Sequence, residues 1–199
     1  MSDPLAQLAR ELSAFTPADG KEADDLQQMV ELVRSSGSGN RGHFLPGHFT
    51  ASAFIVHPAT RSLLLHHHRR LDRWLQMGGH LENGETTAQA ALREAVEESG
   101  LPDVRLLDPV FFDLDVHHIP AAKGEPAHLH FDVRYIAVTD DRDGIRPDPQ
   151  ESLALEWFSF EQAVERMNEA CSRRAIGKIR SRFQRPLRMP AANPAPENG

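Results

Sequence analysis

Cysteine is almost missing from this chain. Cys171 stands alone, so no disulfide can form within the chain, and a reducing cytoplasm is the expected compartment. Long apolar runs are missing too. None approaches the about 18 residues of a membrane span, and the opening stretch MSDPLAQLAR has neither the basic start nor the apolar core of a signal peptide. No membrane partner is expected. Positive charge is also scarce: 22 lysines and arginines face 29 aspartates and glutamates, and the net charge of −7 argues against nonspecific attraction to nucleic acid. No internal repeat is visible.

What is present suits a real core. Hydrophobic residues make up 40% of 199, enough for one domain with additions, or at most two small domains. Residues 1–40 read as a helical extension. In PLAQLARELSAF, Leu5, Leu8, Leu12 and Phe15 recur at helical spacing, as do Leu26, Met29, Val30 and Val33 in KEADDLQQMVELVR. SSGSGNRG then reads as a flexible connection. Residues 46–170 alternate strand-like runs with one strong helix, and a shorter helix, FEQAVERMNEA, follows. The runs are FTASAFIV, SLLLHHH, VRLLDPVFFDLDVHHI, HLHFDVRYIAV and LALEWFSF. Residues 171–185 form a basic helix, and 186–199, rich in proline and alanine, are expected to be disordered.

The stretch GGHLENGETTAQAALREAVEESGL, Gly78 to Leu101, carries the chemistry. Gly78 and Gly79 suggest a sharp turn that leaves a carbonyl exposed to a ligand, and Asn83-Gly84 is a further turn. Thr86 or Thr87 caps a helix running to Ser99, which Gly100 ends. Ala88, Ala91, Leu92, Ala95 and Val96 form its apolar stripe, with Glu94, Glu97 and Glu98 on the far side. Arg93 lies one turn before Glu97 and can pair with it or reach back to Glu85. Taken alone, such a charge run is a solvated helix face.

The complete spacing says otherwise. Gly79, Glu85, Arg93, Glu94, Glu97, Glu98, Gly100 and Leu101 fall on the positions of the Nudix box, and the chain resembles the MutT-like Nudix hydrolases over about 110 residues. One slot is soft, since Ala95 stands where a larger aliphatic is usual. The resemblance implies an α/β/α sandwich with a mixed sheet and hydrolysis of a nucleoside diphosphate linked to some moiety X. It also implies Mg2+, with Mn2+ as an alternative, held by Glu94, Glu97, Glu98 and the Gly79 carbonyl. Hard magnesium prefers such oxygen donors. Glu98, or Glu94 as ligand or base, then belongs to the catalytic set, with Arg93 and Glu85 holding loop to helix. Such hydrolases often recruit a carboxylate beyond the box, and Glu151 stands in that place.

The histidines pose a second question. Asp113, Asp115 and His117 share one strand face, and so do His128, His130 and Asp132. A hairpin closed by IPAAKGEP would set His117 opposite His128 and Asp115 opposite His130. That surface is either a second metal site, a substrate-binding wall of His128 and His130, or a half-exposed polar sheet face. His80 is expected to face substrate, and His66 to His68, followed by Arg69 and Arg70, to end a strand. The basic helix has an Ile176–Ile179 side to pack and its charge either solvated or facing an acidic surface. A homodimer is left open. Two rival functions remain: a nucleotide-sensing module without hydrolysis, and isomerisation of an allylic diphosphate. The intact glutamate set weighs against both.

Overall fold

The computed structural model describes residues 3–35, 38–122 and 124–184; the expected disordered tail, with Arg185 and Arg188, lies outside them. Among the described residues five helices flank one eight-stranded sheet. Its centre is β1 (Gly47–His57), which runs parallel to β7 (His128–Val138) over ten register pairs, Gly47↔Leu129 through Val56↔Val138. Both outer edges of this pair fork. Beside β1, the first half pairs antiparallel with β4 (Met77–His80) and the second half with β2 (Ser62–His68). Beside β7 the first half holds β6 (Asp113–Ile119) and the second half β5 (Arg105–Leu106). Beyond β2 lie β3 (Arg73–Leu75) and β8 (Ser152–Ser159).

Alternation along β1 and β7 builds two cores. Phe49, Ala51, Ala53 and Ile55, with Phe131, Val133, Tyr135 and Ala137, face α1 (Pro4–Ala14), α2 (Gly20–Leu32) and α3 (Thr87–Ser99). Phe54, Val56, Ile136 and Val138 face α4 (Phe160–Met167) and α5 (Ala170–Gln184) on the other side. The result is an α/β/α sandwich. Each fully buried Leu or Phe contributes about 1.5–3 kcal/mol. The N-terminal helices share the first core through Leu8, Leu12, Met29 and Leu32.

Local chemistry sets the helix ends. Asp3 and Asp19 cap α1 and α2, Thr86–Gln89 and Ser159–Gln162 form capping boxes on α3 and α4, and Gly100 ends α3 at φ 71°. Ala95 is fully buried in the first core, so its small side chain lets α3 lie close to the sheet. The expected single strand from Val104 to Ile119 is two, β5 and β6. The proposed hairpin exists, but its register differs by two residues: His117 faces His130 and Asp115 faces Asp132. The loop begins one residue later than supposed, at Pro120, because Ile119 still pairs, with His128.

On the second face, towards the start of β1 and β7, the pattern turns polar. Arg134 is buried among three aspartates, with Nη2 to Asp115 at 2.9 Å, Nε to Asp132 at 2.9 Å and Nη1 to Asp113 at 3.3 Å. Arg174 of α5 reaches Asp113 at 2.9 Å, Lys178 bonds the buried Glu22 of α2, and Lys21 bonds Asp25 and Asp115. The basic helix is therefore divided: Arg174 and Lys178 turn inward, while Arg173, Arg180 and Arg182 remain exposed. Its Ile176 and Ile179 pack, and Arg174, Lys178, Arg180 and Arg182 pair with Asp113, Glu22, Glu161 and Asp108 within the chain. Asp113 and Asp115, the latter strongly, are pulled below the usual carboxylate range by these cations against the opposing effect of burial, and are committed to this network.

Removing one partner from a buried ion cluster leaves charge unpaired in low dielectric. Arg134→Met is expected to lower unfolding free energy by about 3–5 kcal/mol, seen as a fall in the urea midpoint at unchanged slope. A loss under about 1 kcal/mol would mean the three aspartates re-pair without it.

Candidate active site

The loop from Leu81 to Thr86 delivers the chain from β4 into α3, and Arg93 ties the two together. Its Nε and Nη2 donate to both Glu85 carboxylate oxygens at 2.9 and 3.0 Å. Nη1 donates to Glu94 at 2.8 Å and Glu97 at 3.2 Å, and Nη2 also reaches the His80 carbonyl at 3.0 Å. A planar guanidinium suits this forked geometry. The hydrogen bonds from Arg93 hold Glu85 below the ordinary carboxylate range.

Gly78 and Gly79 form no turn; they lie inside β4. Glycine is required there for close approach. A Cβ on Gly79 would stand 2.4 Å from Glu94 Oε1, and one on Gly78 would stand 2.4 Å from Ser52 Cβ. The sharp reversal comes later, at Gly84, where φ is 81°.

The three glutamates of α3 differ in setting. Glu97 is exposed and pairs with Arg93. Glu94 is half-buried, and burial pushes its carboxyl up against the opposing pull of Arg93, with Glu97 and Glu151 adding to the rise. Glu98, expected on the side away from the sheet, is instead 4% exposed and accepts from the Gly78 N–H at 2.8 Å. The helix packs closely enough through Ala91 and Ala95 that a neighbouring long side chain is driven under β4. Burial raises the Glu98 pKa to about 9; the Gly78 N–H opposes this, and Glu94 and Glu151 push it further up. Glu151, exposed just before β8, stands near enough to Glu98 to add to that rise. Glu151, the carboxylate expected to act from beyond the box, thus lies near Glu98.

His66 completes this floor. It is buried, its Nδ1 lies 3.0 Å from Ser152 Oγ and 3.9 Å from Glu98 Oε1, and burial lowers its pKa to about 4. A neutral imidazole beside a protonated carboxyl is no ion pair at neutral pH. Sequence reading missed this contact because β2 to β8 pairing, not local spacing, brings it about. On the same sheet face a cleft of about 410 Å3 opens between Ile145, Leu155, Trp157 and Arg142, and Leu155 is the register partner of His66.

Glu94, Glu98 and Glu151 crowd negative charge where two groups are already forced up in pKa, a donor set fit for a hard divalent cation. His80, His128 and His130 are elsewhere. They lie on the opposite sheet face with His48 and His117, ring centroids 4.9 to 5.6 Å apart. Burial, with the neighbouring charges, lowers His80 to about 4 and His130 to about 2, so both are neutral at physiological pH. His48 was missed, although its place in the alternating polar set His48, Thr50, Ser52 was a readable signal.

A mixed sheet between two helical layers, with an arginine-latched glutamate helix at the edge of its central strands, defines a phosphoanhydride hydrolase of the kind that works with divalent metal ions. Residues 46–177 match the NUDIX domain, and the chain belongs to that family as a Nudix hydrolase. It is 28% identical over 154 residues to a "Probable DHNTP pyrophosphohydrolase" of Lactococcus lactis, covering 68% of this chain and 80% of that protein. A NUDIX-family hydrolase structure from Clostridium perfringens is 30% identical, with a TM-score of 0.52 over 71% of this chain and 98% of the other. The E. coli dihydroneopterin triphosphate pyrophosphohydrolase structure, 21% identical with a TM-score of 0.53, covers 65% and 92% and shares the fold. No described helix is long and apolar enough to cross a membrane.

The raised Glu98 pKa has a thermodynamic consequence. A carboxyl at about 9 when folded and about 4.5 when unfolded stabilises below pH about 4.5, and the contribution is lost as pH rises towards 9. His66 works the other way, its contribution being lost as pH falls from about 6.5 to 4. Comparing wild type with Glu98→Gln cancels His66. In chelator, the Tm of wild type relative to the variant should fall steadily from about pH 5 to pH 9, and Mg2+ should recover it in wild type only. Parallel pH profiles would show that Glu98 ionises freely.

Proposed function

We propose that the chain is a Mg2+-dependent hydrolase that cleaves the pyrophosphate bond of a nucleoside diphosphate linked to a further moiety X. The observation that carries this reading is the junction of Glu94, Glu98 and Glu151 beneath an Arg93 latch. Glu94, Glu97, Glu98 and the Gly79 carbonyl are the metal-holding groups, and Mn2+ meets the same donors. When bound, the cation neutralises the diphosphate and makes an attacking water more acidic. Arg93 fixes Glu94 and the loop so that this donor set is formed before substrate arrives. Glu151, exposed beside Glu98, orients the water and takes its proton. The cleft beside Trp157 is of a size for X.

The Lactococcus relative's description makes a pterin triphosphate one member of the substrate panel. The others are nucleoside di- and triphosphates, dinucleotide polyphosphates, nucleotide sugars and coenzyme A derivatives. The panel is incubated with Mg2+ or Mn2+, following phosphate release and product mass. On the best substrate Glu98→Gln should lose roughly a hundredfold or more in kcat, and Glu151→Gln should lower kcat with KM nearly unchanged. Near-normal turnover by a folded Glu98→Gln would overturn the reading. Unchanged kinetics for Glu151→Gln would move the base to Glu94 or Glu98.

A further inference from the structure

The histidine cluster across the sheet carries more than its spacing suggested. His48 on β1 is fully buried and His128 on β7 is 4% exposed. Their Nδ1 atoms lie 3.2 Å from the His43 carbonyl and 2.8 Å from the Pro126 carbonyl. A carbonyl only accepts, so each Nδ1 carries the proton and each Nε2 keeps its lone pair. A hydrogen bond of this kind is what holds a metal-binding imidazole in the right tautomer and orientation. Two ring nitrogens of the cluster, His48 Nε2 and His130 Nε2, are buried with no hydrogen-bond partner among the described residues.

One ring nitrogen from each of His48, His128 and His130 lies within 4.8 Å of the others. Three nitrogens on one tetrahedral zinc stand about 3.4 Å apart, a closure that small ring rotations supply. Imidazole nitrogens suit zinc and its late first-row neighbours rather than magnesium. The carboxylates around the cluster are already answered: Asp132 is bonded by Arg134, Ser52 and Thr50, and Glu125 pairs with Arg41 at 3.0 Å. His80 stands 5.0 Å from His48 and 5.1 Å from His130 by ring centroid, beside the remaining corner.

We propose that His48, His128 and His130 bind one late first-row divalent cation, zinc foremost, with the fourth position open towards His80. This site is distinct from the carboxylates of α3 and lies on the other face of β4. It would clamp the first residues of β1 to those of β7, where the chain enters the sheet.

Cobalt(II) reports such a site directly, because four-coordinate nitrogen ligation gives intense visible bands and six-coordinate oxygen ligation gives weak ones. The metal-free full chain, held in excess Mg2+ to fill the carboxylate site, is titrated with Co2+. One equivalent should develop the intense bands, Zn2+ should bleach them, and Zn2+ should raise the Tm. His130→Gln and His48→Ala should lose the bands, whereas Glu98→Gln should keep them in full. Since His48 is fully buried and its alanine variant can fail to fold, His130→Gln and Glu98→Gln decide the matter. Absence of intense bands in wild type, or their loss in Glu98→Gln but not in His130→Gln, overturns the proposal. Neither result touches the hydrolase reading, which is read from turnover.

Discussion

The parallel pairing of β1 with β7 is the constraint on which the rest depends. Its ten-residue register places Phe49, Ala51, Ala53 and Ile55 of β1 in the core that α3 shares and Phe54 and Val56 on the opposite face. Once β4 joins β1 with Gly79 opposite Ala51, the glutamate helix has only one way to lie, since Glu94 occupies the space of a missing Cβ. A slip of one residue would turn Gly79 away from the helix and bring His80 into Glu94. The hydrolytic machinery is therefore a consequence of register as much as of motif.

The two faces solve the problem of buried charge in different ways. On the face towards α5, Arg134, Arg174, Lys178 and Lys21 match five buried carboxylates closely, and the cluster joins α2, β6, β7 and α5. On the face towards α3 the books are left uneven: Arg93 alone answers Glu85, Glu94 and Glu97, and among the described residues no lysine or arginine answers Glu98, which has only the Gly78 N–H. An unanswered buried carboxyl is held neutral or waits for a cation. The first face confers rigidity. The second retains chemistry.

Much of this was legible from residues near one another in the chain. Periodicity gave α1 and α2, capping residues gave α3 to within its observed bounds, and the fixed spacing of Glu85, Arg93, Glu94 and Glu98 marked the candidate site. What stayed hidden came from contacts distant in sequence. No local pattern shows that Ala91 and Ala95 draw Glu98 under β4, or that β8 carries Ser152 to His66. The short strands β3 and β4 were missed because RWL and MGGH are too brief for an alternation signal, and two glycines read as a turn. The basic helix looked unpaired because its acids, Glu22 and Asp113, lie far away in sequence.

Strand β4 is where the two faces meet. Gly79 turns to Glu94, His80 turns its ring to the histidine cluster, and the His80 carbonyl accepts from Arg93. Four residues thus touch the carboxylates on one side and the imidazoles on the other. Displacement of His80 by even a fraction of an ångström moves the carbonyl that anchors Arg93, and Arg93 holds Glu94. Packed strands transmit such shifts because the interior is dense and has little free volume to absorb them. The histidine face and Glu94 are thus joined through a backbone carbonyl, that of His80, and one guanidinium.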